Sequence, residues 1–171
     1  TAALHLCMLA AGIGPGDEVI VSSMTFAASA NCVRYVGADV VFADVVEGTM
    51  TIDPTHVESL ITSKTKAIVA VDYAGVPADL GALMALATAH NLLLVEDACH
   101  APGARYQEAM VGSIAHLTAF SFHPVKHITT GEGGMVTTND EILANSLRRF
   151  RNHGIDTDFR QRENMGTWEY D

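Results

Sequence analysis

The sequence predicts an α/β fold built on a mainly parallel sheet with helices on both faces. Short apolar runs alternate with longer helical patterns along the whole chain. Several runs are apolar throughout, as strands covered on both faces are. Apolar residues make up 49% of the 171 residues, enough to fill a sizeable core.

Residues 1–11 read as a helix, stopped by Gly12, Gly14, Pro15 and Gly16. Residues 18–22 (Glu-Val-Ile-Val-Ser) read as a strand, and a helix follows over 25–35, ended by Gly37. A strand is expected over 40–45, and Pro54 opens a short helix to residue 61, since proline suits a first helical turn. The β-branched run 66–73 is the next strand, closed by Ala74-Gly75. Residues 80–90 are helical and 92–95 (Leu-Leu-Leu-Val) form a buried strand. Strands over 117–122 and 135–138 and a helix over 141–150 complete the pattern. After Asn152 the composition turns polar (Asp156, Asp158, Arg160, Gln161, Arg162, Glu163, Asn164), which predicts a surface segment leaving the core.

Charge and cysteine usage narrow the function classes. Ten basic residues against twenty acidic ones, a net charge of -10, argue against nucleic-acid or anionic-membrane binding. No apolar run approaches the ~18 residues that span a bilayer, and no signal peptide is visible. Cys7, Cys32 and Cys99 are an odd number in apolar surroundings, which predicts reduced thiols in the cytoplasm. Position 1 is not Met, and Thr1 already sits in a helical pattern, so the sequence is expected to be a piece of a longer chain.

The glycine-rich turn Gly12-Ile13-Gly14-Pro15-Gly16 follows a helix and precedes a strand. That is the reverse of the dinucleotide-binding order, so it reads as a plain turn. Lys126 is one of three lysines. Lys64 and Lys66 flank a strand entry as solvated charges do, whereas Lys126 follows the end of a strand, where α/β proteins place ligands. It precedes Gly131-Glu132-Gly133-Gly134, whose glycines permit close backbone approach. Asp97 ends an apolar strand and either caps a turn or faces a cation. His100, three residues on, is either a second polar group of the site or a neutral histidine satisfied by backbone. Thr1-Ala2-Ala3 at a helix start can bind an anion, although Thr1 also suits a simple N-cap. Ser121 adds a small hydroxyl near Lys126, and Phe26 either stacks on a planar ring or belongs to the core. Cys99, His100, His116, His123 and His127 are metal-ligand types but lack any ligand spacing, and Pro124 keeps His123 and His127 off one helix face. No metal is expected.

With these segments together, the chain resembles the DegT–StrS nucleotide-sugar aminotransferases, a branch of the fold-type-I, aspartate aminotransferase-like enzymes that use pyridoxal 5'-phosphate. The likeness runs in order through Thr1-Ala2-Ala3-Leu4, Gly14-Pro15-Gly16-Asp17-Glu18-Val19, Met24-Thr25-Phe26, Lys64-Thr65-Lys66-Ala67-Ile68, Glu96-Asp97-Ala98, Ser121-Phe122-His123 with Lys126, Gly131-Glu132-Gly133-Gly134 and Arg151-Asn152-His153-Gly154. It implies that residues 1–171 are the cofactor-binding large domain, with its start and a small C-terminal domain lying outside. It implies Lys126 as the Schiff-base lysine, Asp97 against the pyridinium nitrogen, His100 by the phenolic oxygen and Phe26 on the ring. Ser121, Thr1 and the backbone of Ala2 would hold the phosphate. The implied reaction moves an amino group from glutamate to C4 of a nucleotide-linked 4-keto-6-deoxy sugar, in a homodimer with a shared site.

Within the family, Val71-Asp72-Tyr73-Ala74-Gly75, Lys126-His127-Ile128-Thr129-Thr130 and the tail from His153 to Asp158 look most like the pseudaminic-acid branch, which takes a UDP-linked N-acetylated hexosamine. Perosamine-type and 4-amino-arabinose-type transfer are the alternatives within the family. A non-catalytic cofactor or nucleotide-sugar binder is the alternative outside it.

Overall fold

A computed structural model describes residues 1–155; the polar stretch expected to leave the core, from Asp156 on, and the end of the tail likeness lie outside the described residues. The elements are α1 (Ala2–Ala10), β1 (Glu18–Ser22), α2 (Ala27–Tyr35), β2 (Asp39–Ala43), α3 (Pro54–Leu60), β3 (Thr65–Val71), α4 (Leu80–His90), β4 (Leu93–Asp97), β5 (Arg105–Tyr106), β6 (Ala109–Met110), β7 (Leu117–Ser121), β8 (Gly134–Thr137) and α5 (Glu141–Arg151). Six strands form one sheet in the order β2-β1-β3-β4-β7-β8. Every neighbouring pair is parallel except β7 with β8. The fold is therefore the mainly parallel α/β class that the sequence predicts.

Period-two alternation along the strands divides the core in two. Val19, Val21, Val69, Val95 and Leu117 pack on one face against Leu4, Cys7 and Met8 of α1, Cys32 and Val33 of α2, and Leu143 and Leu147 of α5. Ile20, Ile68, Ala70 and Leu94 pack on the other against Val57 of α3 and Leu80, Leu83 and Ala87 of α4. Burying each such side chain is worth roughly 1.5–3 kcal/mol, which is why the strands read as unbroken apolar runs. Helix α1 lies against α2, α5 and the sheet, which accounts for its nearly continuous apolar sequence.

The differences from expectation lie at element ends. Strand β2 stops at Ala43, and Val45 forms an isolated bridge to Ile52. Strand β3 stops at Val71, because Tyr73–Gly75 turns into a 3-10 segment with Ala74 in the left-handed region at φ 52°. Strand β4 runs on through Glu96 to Asp97. Helix α2 starts at Ala27, with Phe26 at the N-cap position. The hairpin β5/β6 has two residues per strand, too few for a periodic pattern. The stretch 12–16 is the helix-to-strand turn expected, with the Gly14 N–H donating to Asp17 Oδ2 at 3.0 Å. Among the described residues, no helix is long and apolar enough to cross a membrane.

Candidate active site

Parallel strands end on a common edge, and the chemistry collects there. Asp97 is the last residue of β4 and Ser121 the last of β7. Asp97 pairs with Ala119, so Ser121 stands two residues further out on the neighbouring strand. The N-termini of α1 and α2 reach the same edge. A cavity of about 800 Å³ opens between them, lined by Thr1, Ala2, Phe26, Asp97, His100, Ser121 and Lys126, together with others. All seven residues singled out from the sequence thus meet in one place.

Lys126 sits on the loop that joins β7 to the antiparallel β8. The neck of this loop is fastened. Phe122 N–H donates to the Gly133 carbonyl at 2.8 Å, and Thr130 N–H donates to the Phe122 carbonyl at 3.1 Å. Thr129 Oγ1 donates to the same Phe122 carbonyl at 3.1 Å. Gly133 is required at the neck, because a Cβ there would collide with Thr130 Oγ1 and press on Phe122. Within the loop, Lys126 N–H bonds the His123 carbonyl at 2.9 Å, a tight turn that leaves Lys126 half-buried at the cavity wall. Among the described residues it is the one lysine or arginine lining the cavity. Lys64 and Lys66 are exposed at the entry to β3, the opposite edge of the sheet.

Asp97 is 6% exposed. Its Oδ1 accepts the Cys99 N–H at 3.2 Å, so it does cap the following turn. Its Oδ2 accepts the Ser29 hydroxyl at 2.6 Å. Ser29 in turn accepts from Thr25 Oγ1 at 2.7 Å. No ion pair among the described residues includes Asp97. A buried carboxylate with only neutral donors is short of a counter-charge, and the open cavity beside it is where one would bind.

His100 is half-buried; burial first and the Lys126 ammonium second hold its imidazole below the usual histidine range, so it is neutral at pH 7. Thr1 occupies the N-cap position of α1, but its hydroxyl caps nothing, leaving the first N–H groups of the helix turned to the cavity. Phe26 is 75% exposed on the cavity wall, which overturns its reading as core. Cys99, His100 and His123 border the cavity, but among the described residues no three histidine, cysteine or carboxylate side chains are grouped so as to hold a metal ion. The His116 Nδ1 accepts the Leu94 N–H at 3.0 Å at the start of β7, the opposite edge from Asp97. All three cysteines are free, and burial pushes the Cys32 thiol up to about 12.

Sequence reasoning missed Ser29, Thr25 and Tyr73. Tyr73 lines the cavity because β3 ends early and the 3-10 turn swings it inward. Thr25 and Ser29 carry one faint mark, an i, i+4 pair of hydroxyl residues at the opening of a helix.

Comparison with known proteins adds an independent line. The model of the DegT/DnrJ/EryC1/StrS aminotransferase family matches residues 1–168. The chain is 46% identical to the spore coat polysaccharide biosynthesis protein SpsC of Bacillus subtilis over all of its own length and 44% of that protein. It is 49% identical to the GDP-perosamine synthase of Caulobacter vibrioides, covering 91% of this chain and 42% of that one. Among solved structures, an aminotransferase from Psychrobacter cryohalolentis superposes with a TM-score of 0.94 at 44% identity, covering 99% of this chain and 43% of that one. Helicobacter pylori PseC, an aminotransferase of pseudaminic-acid biosynthesis, gives 0.87 at 35% identity, over 100% of this chain and 46% of that one. The chain spans less than half the length of the curated relatives it matches.

Proposed function

Because the chain belongs to the DegT/DnrJ/EryC1/StrS aminotransferase family, we propose that it is the cofactor-holding part of a pyridoxal-phosphate-dependent sugar aminotransferase. The observation that carries this reading is Asp97, a buried carboxylate with no charged partner among the described residues, at the floor of a cavity whose wall holds Lys126. Pyridoxal phosphate, when bound, supplies an electron sink for carbanion chemistry. The residues present fit it. Asp97 would hold the proton of the ring nitrogen and so provide the missing ion pair. Lys126 would hold the carbonyl carbon, and as an amine it can also carry a proton to and from the reacting carbon. The neutral His100 can hydrogen-bond the ring oxygen, and Phe26 offers an exposed face for the ring. The open N–H groups of α1 at Thr1 and Ala2, with Ser121, would receive the phosphate.

The donor is glutamate, and the acceptor is C4 of a nucleotide-linked 4-keto-6-deoxy sugar. The finer reading is a UDP-linked N-acetylated hexosamine in pseudaminic-acid biosynthesis. It is supported by the stretches around Tyr73 and Lys126 and by the likeness to PseC. A perosamine-type acceptor is the second reading, favoured by the higher identity to the GDP-perosamine synthase. The working unit is a homodimer. Full-length protein mixed with pyridoxal phosphate should show a visible absorbance band that shifts when glutamate is added. Turnover of UDP-linked against GDP-linked keto-sugars then separates the two acceptors. A band indifferent to glutamate would mark a passive binder.

A further inference from the structure

We infer that Ser29 is a positioning residue for the reaction, its hydroxyl fixing the Asp97 carboxylate toward the cavity while Thr25 orients Ser29 in turn. The inference rests on the reading of Asp97 as the partner of a pyridinium nitrogen. Ser29 is fully buried and is not among the residues lining the cavity, so it acts only through Asp97. The direction of the chain of hydroxyls follows from proton counting. An ionised carboxylate has no proton to give, so the 2.6 Å contact must be Ser29 Oγ–H donating to Asp97 Oδ2. Ser29 has then spent its one proton. The 2.7 Å contact with Thr25 must be Thr25 Oγ1–H donating to Ser29. The order Thr25 to Ser29 to Asp97 is thus the only consistent one. Each bond polarises the next toward the carboxylate.

Among the described residues, Ser29 donates to Asp97 Oδ2 and the Cys99 N–H donates to Oδ1 at 3.2 Å, with the Cys99 thiol also beside the carboxylate. The Ser29 bond is the shorter of the two and is charge-assisted. Without it the carboxylate can turn about its Cβ–Cγ bond, and it loses a charge-assisted donor that holds Oδ2 in place. Both effects weaken its hold on a ring-nitrogen proton, so they act in the same direction. Helix geometry delivers the residue. Phe26 is the N-cap of α2, so Ser29 falls in the first turn, one helical turn beyond Thr25 and against the end of β4.

The test uses the full-length holoenzyme loaded with pyridoxal phosphate labelled with nitrogen-15 in the ring. In Ser29→Ala the ring-nitrogen signal should move from the protonated toward the unprotonated position. The glutamate half-reaction should slow about tenfold or more, the scale of one hydrogen bond to a charged group, with cofactor affinity little changed. Ser29→Thr, which keeps the hydroxyl, should restore both readouts. Thr25→Val should shift the signal in the same direction by less, and it covers the case in which Ser29→Ala fails to fold. A nitrogen signal in Ser29→Ala that stays at the wild-type position overturns the inference, as does equal behaviour of Ser29→Ala and Ser29→Thr. An unprotonated ring nitrogen in the wild type, or one unmoved by Asp97→Asn, instead overturns the reading of Asp97 and with it this inference.

Discussion

Lys126 owes its distinction to company. The chain has three lysines, and only the one on the fastened β7–β8 loop shares a cavity with a buried carboxylate. Borohydride reduction of the pyridoxal-phosphate complex followed by peptide mapping should label Lys126 alone; label on Lys64 or Lys66 refutes the assignment. A second buried carboxylate group lies behind Asp97. Asp72 and Glu96 are both fully buried. Asp72 Oδ1 accepts the Ala78 N–H, and Glu96 Oε2 accepts the Thr118 hydroxyl. Their other oxygens, Asp72 Oδ2 and Glu96 Oε1, are the two buried side-chain atoms without a donor among the described residues. Burial first and the neighbouring Glu96 carboxylate second push Asp72 up to about 8 from its ordinary 3.8, so one proton stays on the pair at neutral pH. Between those values the folded chain holds a proton that the unfolded chain has released. The stabilisation is complete below the unfolded value and is lost as pH rises through the folded one. The slope is at most about 1.4 kcal/mol per pH unit. Denaturant midpoints should therefore fall from pH 5 to pH 8 in the wild type and vary less in Asp72→Asn. Equal slopes in the two proteins would disprove the shared proton. Neither Ser29 nor this pair was legible in the sequence. Beyond its i, i+4 spacing from Thr25, a serine inside a helix carries no chemical mark, and its bond to Asp97 spans 68 positions.

At the scale of elements, the neck of the β7–β8 loop governs where Lys126 lies. The added methyl of Gly133→Ala meets the Thr130 hydroxyl and Phe122, and the loop beyond them is exposed. The strain is relieved by shifting the loop and not by opening the sheet, since the buried strand β7 is held by pairing on both sides. Gly133→Ala should thus lower cofactor affinity about tenfold, as overpacking by one methyl costs about 1–3 kcal/mol. Its far-UV spectrum should stay native. Adding Thr130→Ala removes the atom struck first and should recover part of the loss. A Gly133→Ala protein with wild-type affinity would show that the neck is not what places the lysine. Elements of this kind divide by how their signals are written. The apolar strands β1, β3, β4 and β7 were legible because burial on both faces demands an unbroken run. The 3-10 turn at Tyr73–Gly75 was not, because a left-handed alanine is imposed by its surroundings and not by its own preference.

At the scale of the molecule, the parallel order sets five strand ends on one edge, and two helix N-termini complete the rim around the cavity. A phosphate with two negative charges asks for more donors than the groups assigned to it among the described residues provide. Ser121 and the start of α1 are the groups assigned to it, and a net charge of -10 supplies no general attraction in their place. Three large apolar side chains also stand open along the Lys126 loop and the α2 cap: Val125 at 80%, Phe26 at 75% and Ile128 at 60% exposure. Phe26 and Val125 line the cavity, and exposed apolar groups at the mouth of a site are what a covering surface would bury. The relatives are more than twice as long as this chain. On the proposed reading, a second subunit and the further length that the relatives have would bring both the cover and further donors. The expected outcome is that residues 1–171 alone retain pyridoxal phosphate weakly, whereas the full-length protein elutes as a dimer and retains it through gel filtration. Sizing with absorbance detection on both proteins decides the matter. A monomeric 1–171 chain that keeps the cofactor and transfers an amino group would show that the rim described here is already a complete site.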